Sequence, residues 1–570
     1  VTAHQNSNVN KDDLDKLLAR VDPAIRDYIE GLRFQIQRLA DIGYALSAER
    51  SLPKLLNIII EEGMRITNSD GGTLYLSTED NRIRFEIMKT RSLGTDMGGI
   101  SKIPVPETIY PVKLYDQEGN PNTHNVSAYV ALSGKTLNIP DAYENEEFDF
   151  SGTKGFDQAH GYRSKSFLCI AMKNHENDII GVLQLINAQD AETRAIIPFS
   201  AEKQKLIESL ASQAAVAITN VRLIHELEEL LESFILLIAD AIDEKSPYTG
   251  GHCKRVPVIS MMLADKVNAA DWGPLKQVTF TEDDLHELRI AAWLHDVGKI
   301  TTPEYVVDKG TKLETIYDRI KEVEVRFEVL KRDIEIEYLR RKLKLKSGDT
   351  TGRAALDTWK AAELEQLEDD IGFLQVANVG GEFMAEEKQE RVKQIAARQI
   401  IIDGKQIPLL DEEMVFNLNI PKGTLTHKER EIINNHVVVT IDMLEKLPFP
   451  KKLRRVSEFA GGHHEKMDGT GYPRGLTGDQ MSIQARIMAI ADVFEALTAT
   501  DRPYKKGKTL SEALKIMGFM KRDNHIDPEL FDVFLKEGVF LDYAKKYMGP
   551  EYFDEVDVES LLAIEPKGWK

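Results

Sequence analysis

Apolar residues recur at three- and four-residue steps through the first fifty positions: Leu14, Leu18, Val21, Ile25, Tyr28, Leu32, Ile36, Leu39 and Ile42. That period places them on one helical face, and Pro23 divides the run into a short first helix and a longer second one. A helix over Leu52–Ile66 follows, and the period then changes. Gly71-Gly-Thr-Leu-Tyr-Leu76 and Ile83-Arg-Phe-Glu-Ile87 read as strands. So do Ser166-Phe-Leu-Cys-Ile-Ala-Met172 and Ile179-Ile-Gly-Val-Leu-Gln-Leu-Ile-Asn187, with Asn174-His-Glu-Asn-Asp178 as the hairpin turn between them. Cys169, inside a strand, reads as a core residue rather than a redox sensor.

From Ser200 to about Ala241 the helical period returns in a stricter form. Positions 210, 214, 217, 221, 224, 228, 231, 235, 238 and 242 follow alternating steps of four and three, and all but Glu228 are apolar. This predicts a coiled-coil seam in a parallel dimer, with Glu228 as its weak layer. Beyond Ser246 the chain is mostly helical and rich in histidine. Residues 311–420 read as an insertion. Ile316, Ile320, Val323, Phe327, Leu330, Ile334 and Leu343 give one amphipathic helix. Leu356, Trp359, Leu364, Leu367, Ile371 and Leu374 give a second, antiparallel one, and a small hairpin follows around Asp403-Gly404. Thr281 with Asp284, and Thr426 with Glu429, carry the spacing of helix-capping boxes.

Polar residues interrupt these apolar helices at specific places. Leu285, Leu288, Ala291, Ala292 and Leu294 lead into His295-Asp296-Val-Gly-Lys299. His436 shares a stripe with Ile432, Thr440, Met443 and Leu447. Asp492 lies inside the almost wholly apolar run Ile483–Leu497, and His252 and the pair His463-His464 complete the set. Buried imidazoles and carboxylates need a partner. Five histidines and two aspartates fit divalent cations, and two adjacent ions need roughly six to eight protein ligands with one carboxylate shared.

Composition narrows the classes. Across 570 residues, 42% are hydrophobic and 29% charged, which fits a multidomain globular chain. No run of about 18 apolar residues predicts a membrane span, and Val1–Asp13 has no signal-peptide apolar region. Two distant cysteines, Cys169 and Cys253, argue against a disulfide framework and for a cytoplasmic location. A net charge of −20 disfavours non-specific nucleic-acid binding.

The phrase Leu137-Asn-Ile-Pro-Asp-Ala-Tyr143 and the strand Gly181-Val-Leu-Gln-Leu-Ile-Asn187 resemble the GAF sensory domain. That resemblance implies an α/β fold and an unidentified small-molecule ligand or a purely dimerising role. The asparagine–lysine–phenylalanine–aspartate pattern of cyclic-nucleotide-binding members has no clear counterpart here. His295-Asp296-Val-Gly-Lys299, His463-His464-Glu465, Gly471-Tyr472-Pro473, Asp492 and Asp501-Arg502-Pro-Tyr-Lys505 resemble the HD-GYP family of metal-dependent phosphohydrolases. The expected architecture is therefore an N-terminal helix (1–49), a GAF-like domain (50–200), a signalling helix (201–245) and an all-α HD-GYP domain (246–570) with the 311–420 insertion.

The HD-GYP resemblance implies two iron or manganese ions. One would be held by His252, His295, Asp296 and Asp492, the other by His436, His463 and His464, with Asp296 bridging. A third ion in some members uses a Glu where this chain has Tyr248. The implied reaction is hydrolysis of cyclic di-GMP to linear pGpG, sometimes on to GMP, by a hydroxide shared between the metals. Lys299 would neutralise phosphate charge, while Glu495, Arg502 and Lys505 would contact substrate. The Gly-Tyr-Pro loop either shapes the pocket or recruits a GGDEF-domain cyclase. Another nucleotide (cyclic GMP–AMP or an alarmone), or a nucleotide-binding scaffold with little turnover, are the competing readings.

Overall fold

The computed structural model describes residues 22–245, 251–381, 383–499 and 507–568. The chain divides at Leu230–Leu231 into two compact units. The short helix expected before Pro23 lies outside the described residues.

The first unit is an antiparallel sheet with helices. Helix α1 (Pro23–Ala48) starts on Asp22, whose carboxylate accepts the Ala24 N–H at 2.8 Å. Helix α2 (Leu52–Thr67) stops at Asn68 in the left-handed region. Then come β1 (Ser69–Thr78), β2 (Arg82–Thr90), β3 (Thr95–Gly98), β4 (Val112–Lys113), α3 (Val126–Ser133), β5 (Leu137–Ile139), α4 (Ser151–His160), β6 (Phe167–Lys173), β7 (Ile179–Gln189) and β8 (Ile196–Ile197). The strand order is β3-β2-β1-β7-β6-β5, with β4 on β2 and β8 on β7.

Alternation along the strands separates two cores. Leu74, Leu76, Leu168, Ile170, Leu183 and Leu185 join one with α2. Tyr75, Phe167, Cys169, Ala171 and Val182 join the other with α3. Cys169 is fully buried, and burial pushes its thiol pKa up, which suits a core residue.

Helix α5 (Ala201–Lys245) is continuous over 45 residues. The expected seam is mostly consumed within each unit. Leu210, Ala214 and Ala217 are buried in the first unit, and Ile235 and Ile242 in the second. The exposed apolar stripe shares only Ile224 and Ile238 with that seam: Leu223, Ile224, Leu227, Leu230, Phe234, Leu237 and Ile238, with Leu227 63% and Leu237 64% exposed. Neighbouring elements of its own chain claimed one helical face, and a second was left uncovered.

The second unit is mostly helical: α6 (His252–Ala269), α7 (Glu282–Leu294), α8 (Glu304–Val307), α9 (Ile320–Lys344), α10 (Thr350–Val379), α11 (Glu386–Ala396), β9 (Gln399–Ile402), β10 (Lys405–Pro408), α12 (Glu412–Leu418), α13 (His427–Asn434), α14 (His436–Glu445), α15 (Val456–Gly461), α16 (Ile483–Thr498), α17 (Leu510–Arg522), α18 (Pro528–Lys536), α19 (Val539–Tyr547) and α20 (Val558–Leu562). Both capping boxes form, on α7 and α13. The single helix expected from Thr426 is instead two, interrupted at Asn435, which has helical dihedrals but makes no side-chain cap bond to the second helix.

The insertion has its own core, with Val323, Phe327, Leu330, Leu367, Leu374, Ile400 and Met414 at its centre. Ile316 and Leu343 are exposed rather than in its stripe. The former precedes the helix, and the latter sits beside the turn that joins the two helices. Lys309 Nζ binds the Glu429 carboxylate at 2.8 Å and ties the ends of the insertion together.

Nearby, Lys312 is 1% exposed and donates to the Leu418 carbonyl at 2.9 Å. Burial pushes its ammonium pKa down to about 8 from 10.5. Between those values the unfolded chain binds the extra proton, so stability rises with pH from about 8 to 10.5. Unfolding followed by tryptophan fluorescence is expected to show this rise in the wild type and a smaller one in Lys312→Met. Equal slopes in both proteins would refute it.

Candidate metal centre

Three of the histidines are set by one local device. The Nδ1 atoms of His295, His436 and His463 contact the carbonyls of Ala292, Ile433 and Ala460 at 2.8, 2.5 and 2.5 Å. Each partner lies three residues earlier, in the last turn of a helix, where carbonyls lack intrahelical donors. Donating Nδ1–H fixes the tautomer and leaves the Nε2 lone pair free.

Those lone pairs converge on Asp296. Oδ1 lies 3.2 Å from His436 Nε2 and 3.9 Å from His463 Nε2. Oδ2 lies 3.3 Å from both His252 Nε2 and His295 Nε2. Asp492 Oδ1 is 3.3 Å from His252 and 3.9 Å from His295. The ligand atoms form three overlapping groups: His252, His295 and Asp492; His436, His463 and His464; and His295, Asp296 and His463. Asp296 therefore stands between two nitrogen-rich clusters, one oxygen toward each.

The buried atoms test the fit to a metal. Asp296 Oδ1, His436 Nε2 and His463 Nε2 have no hydrogen-bond partner. An unsatisfied buried acceptor is costly, and three that face one another are explained by a cation among them. Burial pushes Asp296 up, but His295 and Lys299 hold it well below the usual carboxylate range. Burial raises Asp492 too, yet His252 keeps it far down. Burial, reinforced by neighbouring histidines, pushes His463 well below its ordinary value. Burial also pushes His464 down to about 4, against a partial lift from Asp492. Neutral imidazoles and ionised carboxylates are the forms that ligate. His252 is the exception: burial would lower its pKa, but Glu495, Asp296 and Asp492 raise it well above its ordinary value, so a cation would have to displace its proton. The residues fit a pair of divalent cations.

The supporting residues explain the motif's other letters. A Cβ on Gly298 would meet the His436 carbonyl oxygen at 2.0 Å, so only glycine lets this turn pack against α14. Thr440 Oγ1 clasps the same junction, accepting Gly298 N–H at 2.9 Å and donating to the His295 carbonyl at 3.2 Å. Glu465, 2% exposed, accepts the N–H groups of Arg474 and Leu476 at 2.7 and 2.9 Å and so sets the Gly-Tyr-Pro loop. Tyr472 stacks on His464, with ring centroids 4.9 Å apart. Lys299 Nζ contacts Asp296 Oδ2. Burial would lower its pKa, but Asp296 and Asp492 raise it overall, so it is an ammonium.

Glu495 departs from the substrate contact expected of it. It is 1% exposed, and its carboxylate contacts His252 Nδ1 on one oxygen and Arg255 on the other, at 2.6 to 2.8 Å. One helical turn beyond Asp492 it faces back into the protein, behind the ligand. Its carboxylate therefore orients His252. Glu495→Gln is expected to weaken metal affinity about 10- to 100-fold, measured by metal titration with competing chelators. Unchanged affinity would return Glu495 to the substrate side. Arg502, Lys505 and Tyr248 lie outside the described residues.

Sequence reasoning missed Thr440 and Glu465 as positioning residues. Thr440 was legible as a hydroxyl one turn from His436 on a buried stripe, and Glu465 as an acid directly after two ligand histidines.

Comparison with known families places names beside this geometry. Residues 51–218 match the family model described as GAF domain, and residues 249–402 and 404–530 match two HD domain models. A probable cyclic di-GMP phosphodiesterase of Vibrio cholerae is 38% identical over 24% of this chain and 32% of its own length. A 3'3'-cGAMP-specific phosphodiesterase of the same organism is 44% identical over 19% of this chain and 23% of its own. A cyclic di-GMP phosphodiesterase of Pseudomonas aeruginosa is 40% identical over 21% and 27%. The chain thus spans a third or less of the length of these relatives.

Proposed function

We propose that this chain, a GAF domain followed by an HD domain, is a metal-dependent phosphodiesterase that opens cyclic di-GMP to linear pGpG. The observation that carries the reading is Asp296 standing between the His252–His295–Asp492 and His436–His463–His464 clusters. Two ions, when bound, supply an acidified water and neutralise phosphoryl charge. Iron or manganese suits the mixed imidazole–carboxylate set. The protein's own part is to position. Asp296 holds the two clusters in register, Glu495 and Arg255 orient His252, and Lys299 presents a fixed positive charge to the phosphate oxygens. Tyr472, stacked on His464, supports a pocket-shaping role for the Gly-Tyr-Pro loop over recruitment of a GGDEF partner.

Cyclic GMP–AMP is a second reading, favoured by relatives of 44% and 47% identity that carry that specificity in their names. The deciding experiment incubates metal-loaded protein anaerobically with each cyclic dinucleotide and resolves the products. Linear pGpG, with slower turnover of cyclic GMP–AMP, supports the first reading. The reverse order supports the second. No product from either, with about two ions bound per chain, overturns both.

The GAF domain is proposed to regulate this reaction within a parallel homodimer. Support comes from the uncovered α5 stripe, whose three- and four-residue spacing complements a second copy of itself. Leu227→Lys with Phe234→Lys places charges in that stripe and is expected to give monomers by light scattering. A wild-type monomer would refute the dimer. No helix among the described residues is long and apolar enough to cross a membrane. Two free, buried cysteines support a cytoplasmic setting.

A further inference from the structure

The turn that carries Lys299 is held from outside by a residue of another element. Lys245, the last residue of α5, donates from Nζ to the carbonyl oxygens of Lys299, Ile300 and Thr302 at 3.0, 2.5 and 2.7 Å. An ammonium has three donors, so these three carbonyls use its full capacity. They belong to the short 3₁₀ segment Val297–Thr301 and the residue after it, where the carbonyls have few backbone partners. Within that segment the Lys299 carbonyl accepts Thr302 N–H at 3.0 Å, and Lys299 N–H donates back to the Asp296 carbonyl at 2.9 Å. Pinning the Lys299 carbonyl therefore fixes the backbone from which its side chain reaches Asp296.

The last two turns of α5 also grip the segment that carries His252. Asp243 accepts the Cys253 N–H at 3.2 Å, and Asp240 pairs with Lys254 at 2.8 Å. One helix end thus holds the backbone on both sides of the metal cluster.

We infer that Lys245 is a positioning residue. By gathering the carbonyls of Lys299, Ile300 and Thr302 it aims the Lys299 ammonium, and it makes the end of α5 the point through which that helix acts on the site. This rests on the phosphodiesterase reading. A guanidinium, with its donors spread in a planar fork, cannot converge on three oxygens in the same way.

The test is a double-mutant cycle of Lys245→Met and Lys299→Met in the full chain, with metal content measured in every protein. Lys245→Met is expected to lower kcat about 10- to 100-fold, with KM little changed and metal retained. In the Lys299→Met background the same change is expected to cost less than about twofold, because Lys245 acts through Lys299. Lys245→Arg should fall between. An equal loss in both backgrounds, which a merely structural role would give, overturns the inference, as does no loss in the wild-type background. Hydrogen exchange separates this from failure of the functional reading. If the wild type turns over neither dinucleotide, that reading fails. Faster exchange in Lys245→Met confined to residues 297–302 still supports the tether, and unchanged exchange there refutes it.

Discussion

Asp296→Ala is expected to lower kcat/KM by roughly 10⁴-fold or more, equivalent to about 5.5 kcal/mol of transition-state stabilisation, and to reduce bound metal below about two ions per chain. The size follows from its place. One oxygen faces His252 and His295, and the other faces His436, with His463 further off. Alanine removes the group common to both clusters and leaves buried imidazoles with nothing between them. Elemental analysis beside kinetics checks both halves of the expectation. Activity within tenfold of wild type, with two ions retained, would show that Asp296 does not bridge.

Lys299→Ala should behave differently. Its ammonium stands as a charge beside Asp296, not as a ligand. Loss is expected to cost kcat about 10²–10³-fold, the scale seen when one preorganised electrostatic group is removed, with metal content unchanged. Loss of metal alongside activity would mean that Lys299 serves chiefly to neutralise Asp296. Unchanged kcat would remove it from the reaction.

The metal cluster was legible in sequence because polar residues embedded in apolar helices have few physical explanations. His295-Asp296 at a helix end, His436 on a core stripe and Asp492 in an apolar run each stood out. The structure brings all of them together. The side on which Glu495 lies was not legible, because helical spacing fixes closeness to Asp492 but not which way a side chain points once α16 packs against α6. The exposed face of α5 differs from the expected seam for a related reason. Periodicity identifies apolar faces, but only tertiary packing decides which face its own domain takes. Between Ile87 and Ser166 the periodicity predicts no helix or strand. Helix α3 there is apolar almost all round, so it has no period to find, although Asn125 caps it and Gly134 ends it in the left-handed region. Lys245 was invisible because its partners are backbone carbonyls more than fifty positions away, which leave no mark on side-chain pattern.

The Lys309–Glu429 pair bears on how the centre is assembled during folding. The two halves of the metal site meet across contacts such as Gly298 with Thr440, 142 positions apart. Closing a flexible loop of about a hundred residues costs on the order of 4 kcal/mol in chain entropy. The insertion has a core of its own, and Lys309 ties to Glu429 across 120 positions. If the insertion collapses first, its ends are already together, and the ligand-bearing halves search over a few residues rather than a hundred. The densely charged hairpin then acts as an internal splint. It sets the rate at which a metal-binding chain forms, even where it touches neither metal nor substrate.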